Sequence, residues 1–286
     1  MMKGVWTALI TPFDDNLKID YESLEKLINY QIENNIDGIV LFGTTGESPT
    51  IEEEEFFKVL KFIKNFNIDI IVGTGTNNTK KTIERTKKVM DIGFYKFLIV
   101  SPYYNKPNFN GLYQHFKNIL LTDAKIVIYE IPSRTGISIP IEVLKILKDE
   151  FKDNILALKF SNSDLDLLSR IILEIKNLNV LSGDDNLTLP MMSLGAVGVI
   201  SVLSNIYPKE IRELVYSALN GDFIKAREIH YKMYKLFKLA FLETNPIPIK
   251  YIAYKKNLIK TPYLRLPLSE LSEKNKEIIE NFLKNE

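Results

Sequence analysis

Short runs of Ile, Val and Leu return about every 30 residues along the chain, separated by longer stretches with a helical apolar period. About eight such runs can be counted: Val5 to Ile10, Gly38 to Leu41, Asp69 to Val72, Lys96 to Val100, Lys125 to Tyr129, Ile155 to Leu158, Asn179 to Leu181 and Gly198 to Val202. Their nearly continuous apolar character belongs to strands covered on both faces, and so to a parallel sheet. Between them, sets such as Tyr21-Leu24-Leu27-Ile28-Ile32 and Leu165-Leu168-Ile171-Ile172-Ile175 space apolar residues three and four apart, as on one buried helix face. This alternation predicts an α/β fold, a closed (β/α)8 TIM barrel. After the eighth unit only helical patterns remain, over Phe223 to Leu242, Ile247 to Lys256 and Leu268 to Leu283. The expected division is a barrel carrying the site over residues 1–222 and a C-terminal helical appendage over 223–286 packed beside it. No stretch of Pro, Gly or Ser is long enough for a flexible linker, and no fixed repeat or low-complexity tract interrupts the pattern.

Composition narrows the function. A chain of 286 residues that is 45% hydrophobic and 26% charged can bury a sizeable core. Its 37 Lys and Arg balance 36 Asp and Glu, so no excess positive charge recommends nucleic acid or an anionic membrane, and a small-molecule substrate is expected. The lack of cysteine excludes disulfides, thiolate catalysis and Cys-based metal sites, and only His115 and His230 offer imidazole. A mechanism without metal or cofactor is the expectation. Met1-Met2-Lys3 leads straight into Val5-Trp6-Thr7-Ala8-Leu9-Ile10 without a long apolar span or a small-residue cleavage pattern, and a cytoplasmic location follows as an expectation.

In an α/β barrel, chemistry sits at the carboxyl ends of the strands. Ile155-Leu156-Ala157-Leu158 ends in a lone amine, Lys159, before Phe160-Ser161-Asn162-Ser163-Asp164 opens a turn and helix. Lysine is an ammonium in water and attacks a carbonyl only as the free amine, so a partly desolvated site would make Lys159 a Schiff-base former. Taken alone, the residue reads more simply as one that leaves the sheet and snorkels to water. The other strand ends change that balance. Gly43-Thr44-Thr45-Gly46-Glu47-Ser48 combines close backbone approach with hydroxyls and suits a small carboxylate, or else a hydroxyl-rich helix cap. Gly73-Thr74-Gly75-Thr76-Asn77-Asn78 lacks the third glycine of a dinucleotide fingerprint and reads as a turn and helix start. Ser101-Pro102-Tyr103-Tyr104-Asn105-Lys106-Pro107 stiffens a loop with two phenols. Tyr129-Glu130-Ile131-Pro132-Ser133-Arg134-Thr135-Gly136 sets a phenol at a strand end and a guanidinium, whose fork matches a carboxylate, soon after it. Ser182-Gly183-Asp184-Asp185 and Gly195-Ala196-Val197-Gly198-Val199-Ile200-Ser201 follow, their glycines reading as core packing or as room at the barrel mouth. Glu52-Glu53-Glu54-Glu55 is expected in the first turn of a helix, where the dipole favours acids, with no catalytic role.

Taken in this order, with Glu243-Thr244-Asn245-Pro246-Ile247-Pro248-Ile249-Lys250 in the tail, these segments resemble the dihydrodipicolinate synthase and N-acetylneuraminate lyase superfamily of class I aldolases over nearly the whole chain. The resemblance implies that Lys159 forms an imine with pyruvate while Thr45 and nearby loop amides hold the pyruvate carboxylate. It assigns proton transfer to Thr44, Tyr129 and Tyr104, with Tyr104 reaching into a neighbouring subunit's site, and adds Gly183 and Ile200 to the substrate-binding set. Hydroxyls suit this traffic because each can donate and accept. In the synthase branch the enamine attacks aspartate 4-semialdehyde, whose carboxylate Arg134 would bind; the lyase branch generally lacks this arginine. The implied partners are those two substrates and further copies of the chain in a homotetramer. A related aldolase acting on N-acetylneuraminate or a 2-keto-3-deoxy sugar acid, and a non-catalytic ligand-binding barrel, are the alternatives.

The chain departs from the family pattern at Glu130, where Asn usually follows the tyrosine, and at Phe160-Ser161, where Glu-Ala usually follows the lysine. Strand alternation predicts that Glu130 points away from the face of Tyr129. In feedback-inhibited relatives lysine binds through histidines and an acidic group at positions that match Glu53, Phe56 and Lys81 here, although Tyr103 and Asn77 remain. A cation at Lys81 repels the effector's ammonium, so weak or absent inhibition by lysine is expected.

Overall fold

A computed structural model of the protein describes residues 2–286. Eight parallel strands close on themselves in chain order: β1 Gly4–Ala8, β2 Gly38–Leu41, β3 Ile70–Gly73, β4 Lys96–Val100, β5 Lys125–Glu130, β6 Ile155–Phe160, β7 Val180–Ser182 and β8 Gly198–Ser201. Pairing of β8 with β1, from Gly4 with Gly198 to Thr7 with Ser201, completes the ring. Around it lie α1 Tyr21–Glu33, α2 Glu53–Ile63, α3 Thr79–Ile92, α4 Phe109–Leu120, the single turn α5 Pro132–Thr135, α6 Ile141–Phe151, α7 Leu165–Glu174, α8 Thr188–Ser193 and α9 Pro208–Leu219. Helices α10 Phe223–Leu239, α11 Ile247–Lys255 and α12 Glu273–Leu283 follow. The expected TIM barrel with C-terminal helices is the observed fold.

Local chemistry explains the helix starts. Asp20 caps α1 by accepting from the amides of Glu22 and Ser23, a contact worth about 1 kcal/mol. Asn78 caps α3 through the amide of Lys81, so the glycine-rich segment before it is the turn and helix start that the sequence suggested. Glu52 and Glu55 form a reciprocal capping box on α2, and Glu53, Glu54 and Glu55 occupy its first turn as expected. Among the ends that differ from expectation, two matter most. Strand β6 runs on to Phe160, so Lys159 lies within the strand, and the last helix begins at Glu273 instead of Leu268. Ser272, extended at φ −60° and ψ 147°, is held by its amide and hydroxyl donating to the Glu243 carboxylate, which sets the start there.

Apolar side chains form two layers. Trp6, Val40, Ile71, Leu98, Val127, Ala157, Leu181 and Ile200 point inward and fill the lower barrel. The outward strand residues, among them Phe97 and Phe160, pack under the helices against residues such as Phe116 of α4, and burying each such ring stabilises by roughly 1.5–3 kcal/mol. Because successive residues alternate between these layers, Tyr129 faces in and Glu130 faces out, as alternation predicts.

Glu130 is paired in register with Phe160, so these two departures from the family pattern sit side by side in the outer layer, while Ser161 lines the cavity inside. Its carboxyl group is buried and accepts the Ile139 amide at 3.0 Å. Burial pushes its pKa up to about 7, and the Ile139 amide and the nearby Ser138 and Asn162 side chains offset only part of that. A carboxyl whose folded value is raised favours the native state below its unfolded value, and that stability is lost as pH rises through the folded value. Glu130→Gln is therefore expected to gain about 3 kcal/mol on the wild type as pH rises from about 4.5 to about 7. Urea unfolding across that range checks this; a variant-to-wild-type difference independent of pH rejects it.

Candidate active site

Lys159 lies one residue from the end of β6 and is 6% exposed. Its strand neighbours in register are Tyr129 on β5 and Leu181 on β7, both inward residues, so Lys159 also enters the barrel. The simpler reading, a lysine that leaves the sheet for water, does not hold. Nζ stands 4.1 Å from the centroid of the Tyr129 ring, whose face attracts a cation and so anchors the side chain while the amine carries its proton. Gly183 makes room on the other side: a Cβ there would lie 3.0 Å from Cε of Lys159 and 1.9 Å from Oγ of Ser161. No larger residue fits without displacing the amine or its loop.

Above Lys159 is a cavity of about 390 Å³ lined by Thr44, Thr45, Tyr129, Arg134, Gly183 and Asp184 among others. A second lobe of about 230 Å³ shares Thr44, Tyr129, Ile131 and Arg134 with it and extends past Pro49, Val100 and Tyr103. Thr44 and Tyr129 thus stand at the junction of the two. Arg134 reaches the same junction because Pro132, with its fixed φ, opens the single turn α5 directly after β5. Its guanidinium donates to the Asn245 carbonyl at 3.2 Å.

Two of the residues singled out in the sequence are not in the cavity. Ile200 is fully buried in the inner core with Tyr129 and does not line either lobe. Tyr104 is 90% exposed, with φ of +73°, a left-handed conformation that is unusual for an aromatic residue and carries the ring outward. Of the two phenols in that loop, the one that lines the second lobe is Tyr103. His115 is remote from both lobes: it packs between α3 and α4, where Nδ1 meets the Thr79 hydroxyl at 2.9 Å and burial lowers its pKa to about 4.

The tail does more than pack beside the barrel. Phe237, Lys238, Phe241 and Asn245 line the Lys159 cavity, and the Asn245 side-chain amide donates to Oγ1 of Thr45 at 2.9 Å. Deeper, Glu47 and Lys250 form an ion pair at 2.7 Å with both side chains out of water. Glu47 also accepts the Arg265 amide at 3.2 Å, and the Lys250 ammonium lies 4.1 Å from the Phe13 ring centroid. Burial lowers the Lys250 pKa to about 8, and Glu47 opposes that fall. These contacts bind the threonine loop to the start of α11. Asparagine and lysine in an apolar tail segment were the available signal, but their partners stand about 200 residues away and no local pattern pairs them.

The paired aspartates have different surroundings. Asp185 is fully buried, accepts from the Ser201 hydroxyl and the amides of Val202 and Leu203, and so fixes the end of β8; burial pushes its pKa up to about 6. Asp184 instead lines the cavity.

A family model described as the dihydrodipicolinate synthetase family matches residues 1–286. A 4-hydroxy-tetrahydrodipicolinate synthase of Hydrogenobaculum sp. (strain Y04AAS1) is 46% identical over 288 residues, which take in 99% of this chain and 98% of that protein. One of Methanocaldococcus jannaschii is 46% identical over 291 residues, with 100% of this chain and 99% of that protein covered. The crystal structure of dihydrodipicolinate synthase from Aquifex aeolicus superposes with a TM-score of 0.95 at 44% identity, covering 99% of this chain and 98% of that one.

Removing one member of a buried ion pair strands the other charge, which typically costs about 3–5 kcal/mol. Lys250→Met is accordingly expected to lower unfolding stability by that amount, and adding Glu47→Gln to recover part of it. Denaturant unfolding of the two single variants and the double variant measures the coupling; simple additivity contradicts the ion-pair account.

Proposed function

The chain belongs to the dihydrodipicolinate synthetase family, and we propose that it is a 4-hydroxy-tetrahydrodipicolinate synthase, condensing pyruvate with L-aspartate 4-semialdehyde on the diaminopimelate route to lysine. The observation that carries this reading is the buried amine of Lys159 beside Tyr129, in a cavity that also holds Thr44, Thr45 and Arg134. Full-length similarity to proteins of that name supports the choice of reaction.

In the proposed sequence the free amine of Lys159 attacks the pyruvate ketone, and loss of water leaves a protonated imine. That positive nitrogen draws electrons from the methyl group, so a proton leaves C3 and an enamine forms. Its carbon attacks the aldehyde of the second substrate; the amine of that substrate then adds to the imine carbon, closes the ring and releases Lys159. The lysine itself supplies the electron sink, and no cofactor is required. Thr45 and the amides of its loop hold the pyruvate carboxylate, Arg134 takes the carboxylate of the aldehyde, and Gly183 leaves room beside the amine, whereas Ile200 stays in the core below the cavity. Thr44 and Tyr129 pass protons at the junction of the two lobes.

Tyr104 completes that relay in a neighbouring copy. Its 90% exposure and outward left-handed backbone support this role, since a large ring held in water gains from burial against a second subunit. A tyrosine shared across a subunit boundary calls for at least a dimer, and by analogy with the family we assign a homotetramer, and a location in the cytoplasm with the route's soluble intermediates. No helix among the described residues is long and apolar enough to cross a membrane.

Pyruvate with borohydride is expected to add an irreversible mass to Lys159, and a substrate panel should show turnover with aspartate 4-semialdehyde but little with N-acetylneuraminate or 2-keto-3-deoxygluconate. An unmodified intact mass overturns the imine, and turnover with the sugar acids alone overturns the substrate assignment.

Feedback inhibition generates a separate expectation. Lys81, Arg85 and Lys88 recur at positions three and four apart on α3, Lys88 pairs with Glu53 at 2.6 Å, and the Arg85 guanidinium lies 5.3 Å from the Phe56 ring centroid. Glu53, the acid that the resemblance matches to the effector site, is thus already paired, and the neighbouring charge on α3 is positive. Titration with lysine should leave most activity at submillimolar concentration; half-maximal inhibition in that range refutes the expectation.

A further inference from the structure

The cavity over Lys159 is rich in cations. Lys159, Arg134 and Lys238 all line it, whereas Asp184 is the one carboxylate that does so among the described residues. The proposed second substrate carries a carboxylate and an ammonium on the same carbon. Arg134 suits the first and would repel the second, so a cavity with three cations needs a compensating anion wherever the ammonium rests.

Asp184 is held for such a task. The Ser182 hydroxyl accepts from its amide at 3.1 Å and donates to its carbonyl at 2.8 Å, while the Thr188 hydroxyl donates to the same carbonyl at 3.1 Å. Backbone position is thereby fixed, yet among the described residues its carboxylate oxygens have no hydrogen-bond or ion-pair partner. Next in the chain, the Asp185 carboxylate is consumed by three donors, so the two neighbours divide into one structural and one free acid. Asp184 also follows Gly183, which abuts Lys159, and it lines the same cavity as the reacting amine. Burial raises its pKa, and Lys238 and Lys159 pull against that rise from the cavity.

We infer that Asp184 binds the ammonium group of the aldehyde substrate and selects an amino aldehyde over an amine-free one, an inference that rests on the reaction proposed above. Without it the ammonium would face Lys238 and the lysine imine uncompensated. The residue is specificity-determining: it recognises the group that later closes the ring, and the pyruvate half of the site does not depend on it.

The test compares wild type, Asp184→Asn and Asp184→Glu with two ligands, L-aspartate 4-semialdehyde as substrate and 4-oxobutanoate, its amine-free analogue, as competitive inhibitor. A charge-assisted contact of this kind predicts that Asp184→Asn loses about 10- to 100-fold in kcat/KM for the amino aldehyde. The inhibition constant of 4-oxobutanoate should change less than about threefold, and Asp184→Glu should recover part of the loss. Equal effects on both ligands, or none on either, overturn the inference, as does a wild type whose inhibition constant for 4-oxobutanoate is as low as its KM for the amino aldehyde. Borohydride trapping of pyruvate on each variant reports the first half-reaction separately. Wild type that traps pyruvate but does not condense the amino aldehyde overturns the parent reaction; wild type that condenses it beside an unaffected Asp184→Asn overturns only the ammonium subsite.

Discussion

The register of β5 against β6 is the constraint on which the rest of the site depends. Tyr129 and Lys159 are partners across that ladder, both alternate inward, and the amine comes to lie against the phenol ring. A slip of β6 by one residue would turn Lys159 out under the helices, away from Tyr129, and bring Phe160 into the barrel. The outer layer opposes such a slip, because Phe160 is fully buried there and the Glu130 carboxyl is engaged by the Ile139 amide. Packing outside the barrel thus protects the geometry inside it.

The second support comes from the far end of the chain. Thr45 meets Asn245, Glu47 meets Lys250, and Arg134 meets the Asn245 carbonyl, so one stretch of the tail joins the loops after β2 and β5. A fully buried ion pair adds little net stability compared with apolar residues of the same volume, because desolvation consumes most of the attraction. Its value here is directional. Glu47 sits in a left-handed turn with φ of +55°, and its paired carboxylate holds that turn in one conformation just beyond the two threonines. The helices after the barrel are therefore part of the site's framework, and the cavity wall they supply through Phe237, Lys238 and Phe241 closes one side of it.

Charge is distributed in the same economical way. Of the adjacent acids after β7, Asp185 is spent on the Ser201 hydroxyl and two amides at the end of β8, and Asp184 keeps its carboxylate for the cavity. Glu130, which stands where the family usually has asparagine, lies outside the barrel wall and acts on the loop to Ile139 without entering the cavity. Departures from a family pattern next to reactive residues thus need not alter the reacting set, provided that strand alternation sends them to the other face.

Much of this was legible along the chain. Continuous apolar runs and period-three-to-four helices report local burial, so the eight-stranded barrel, the starts of α2 and α3, and the opposite orientations of Tyr129 and Glu130 followed from residue order alone. The motif residues Lys159, Thr44, Thr45, Tyr129, Arg134 and Gly183 were likewise identifiable, and the fold gathers them at one cavity. The tertiary structure alone decided that Lys159 is buried instead of snorkelling, that Asn245 and Lys250 brace the threonine loop, that Ile200 sits in the core below the cavity, and that Asp184 and Asp185 part company. The reason is physical: periodicity encodes which face of an element is apolar, whereas a buried charge or amide is defined by partners that chain closure brings from up to about 200 residues away, and nothing in the local pattern names them.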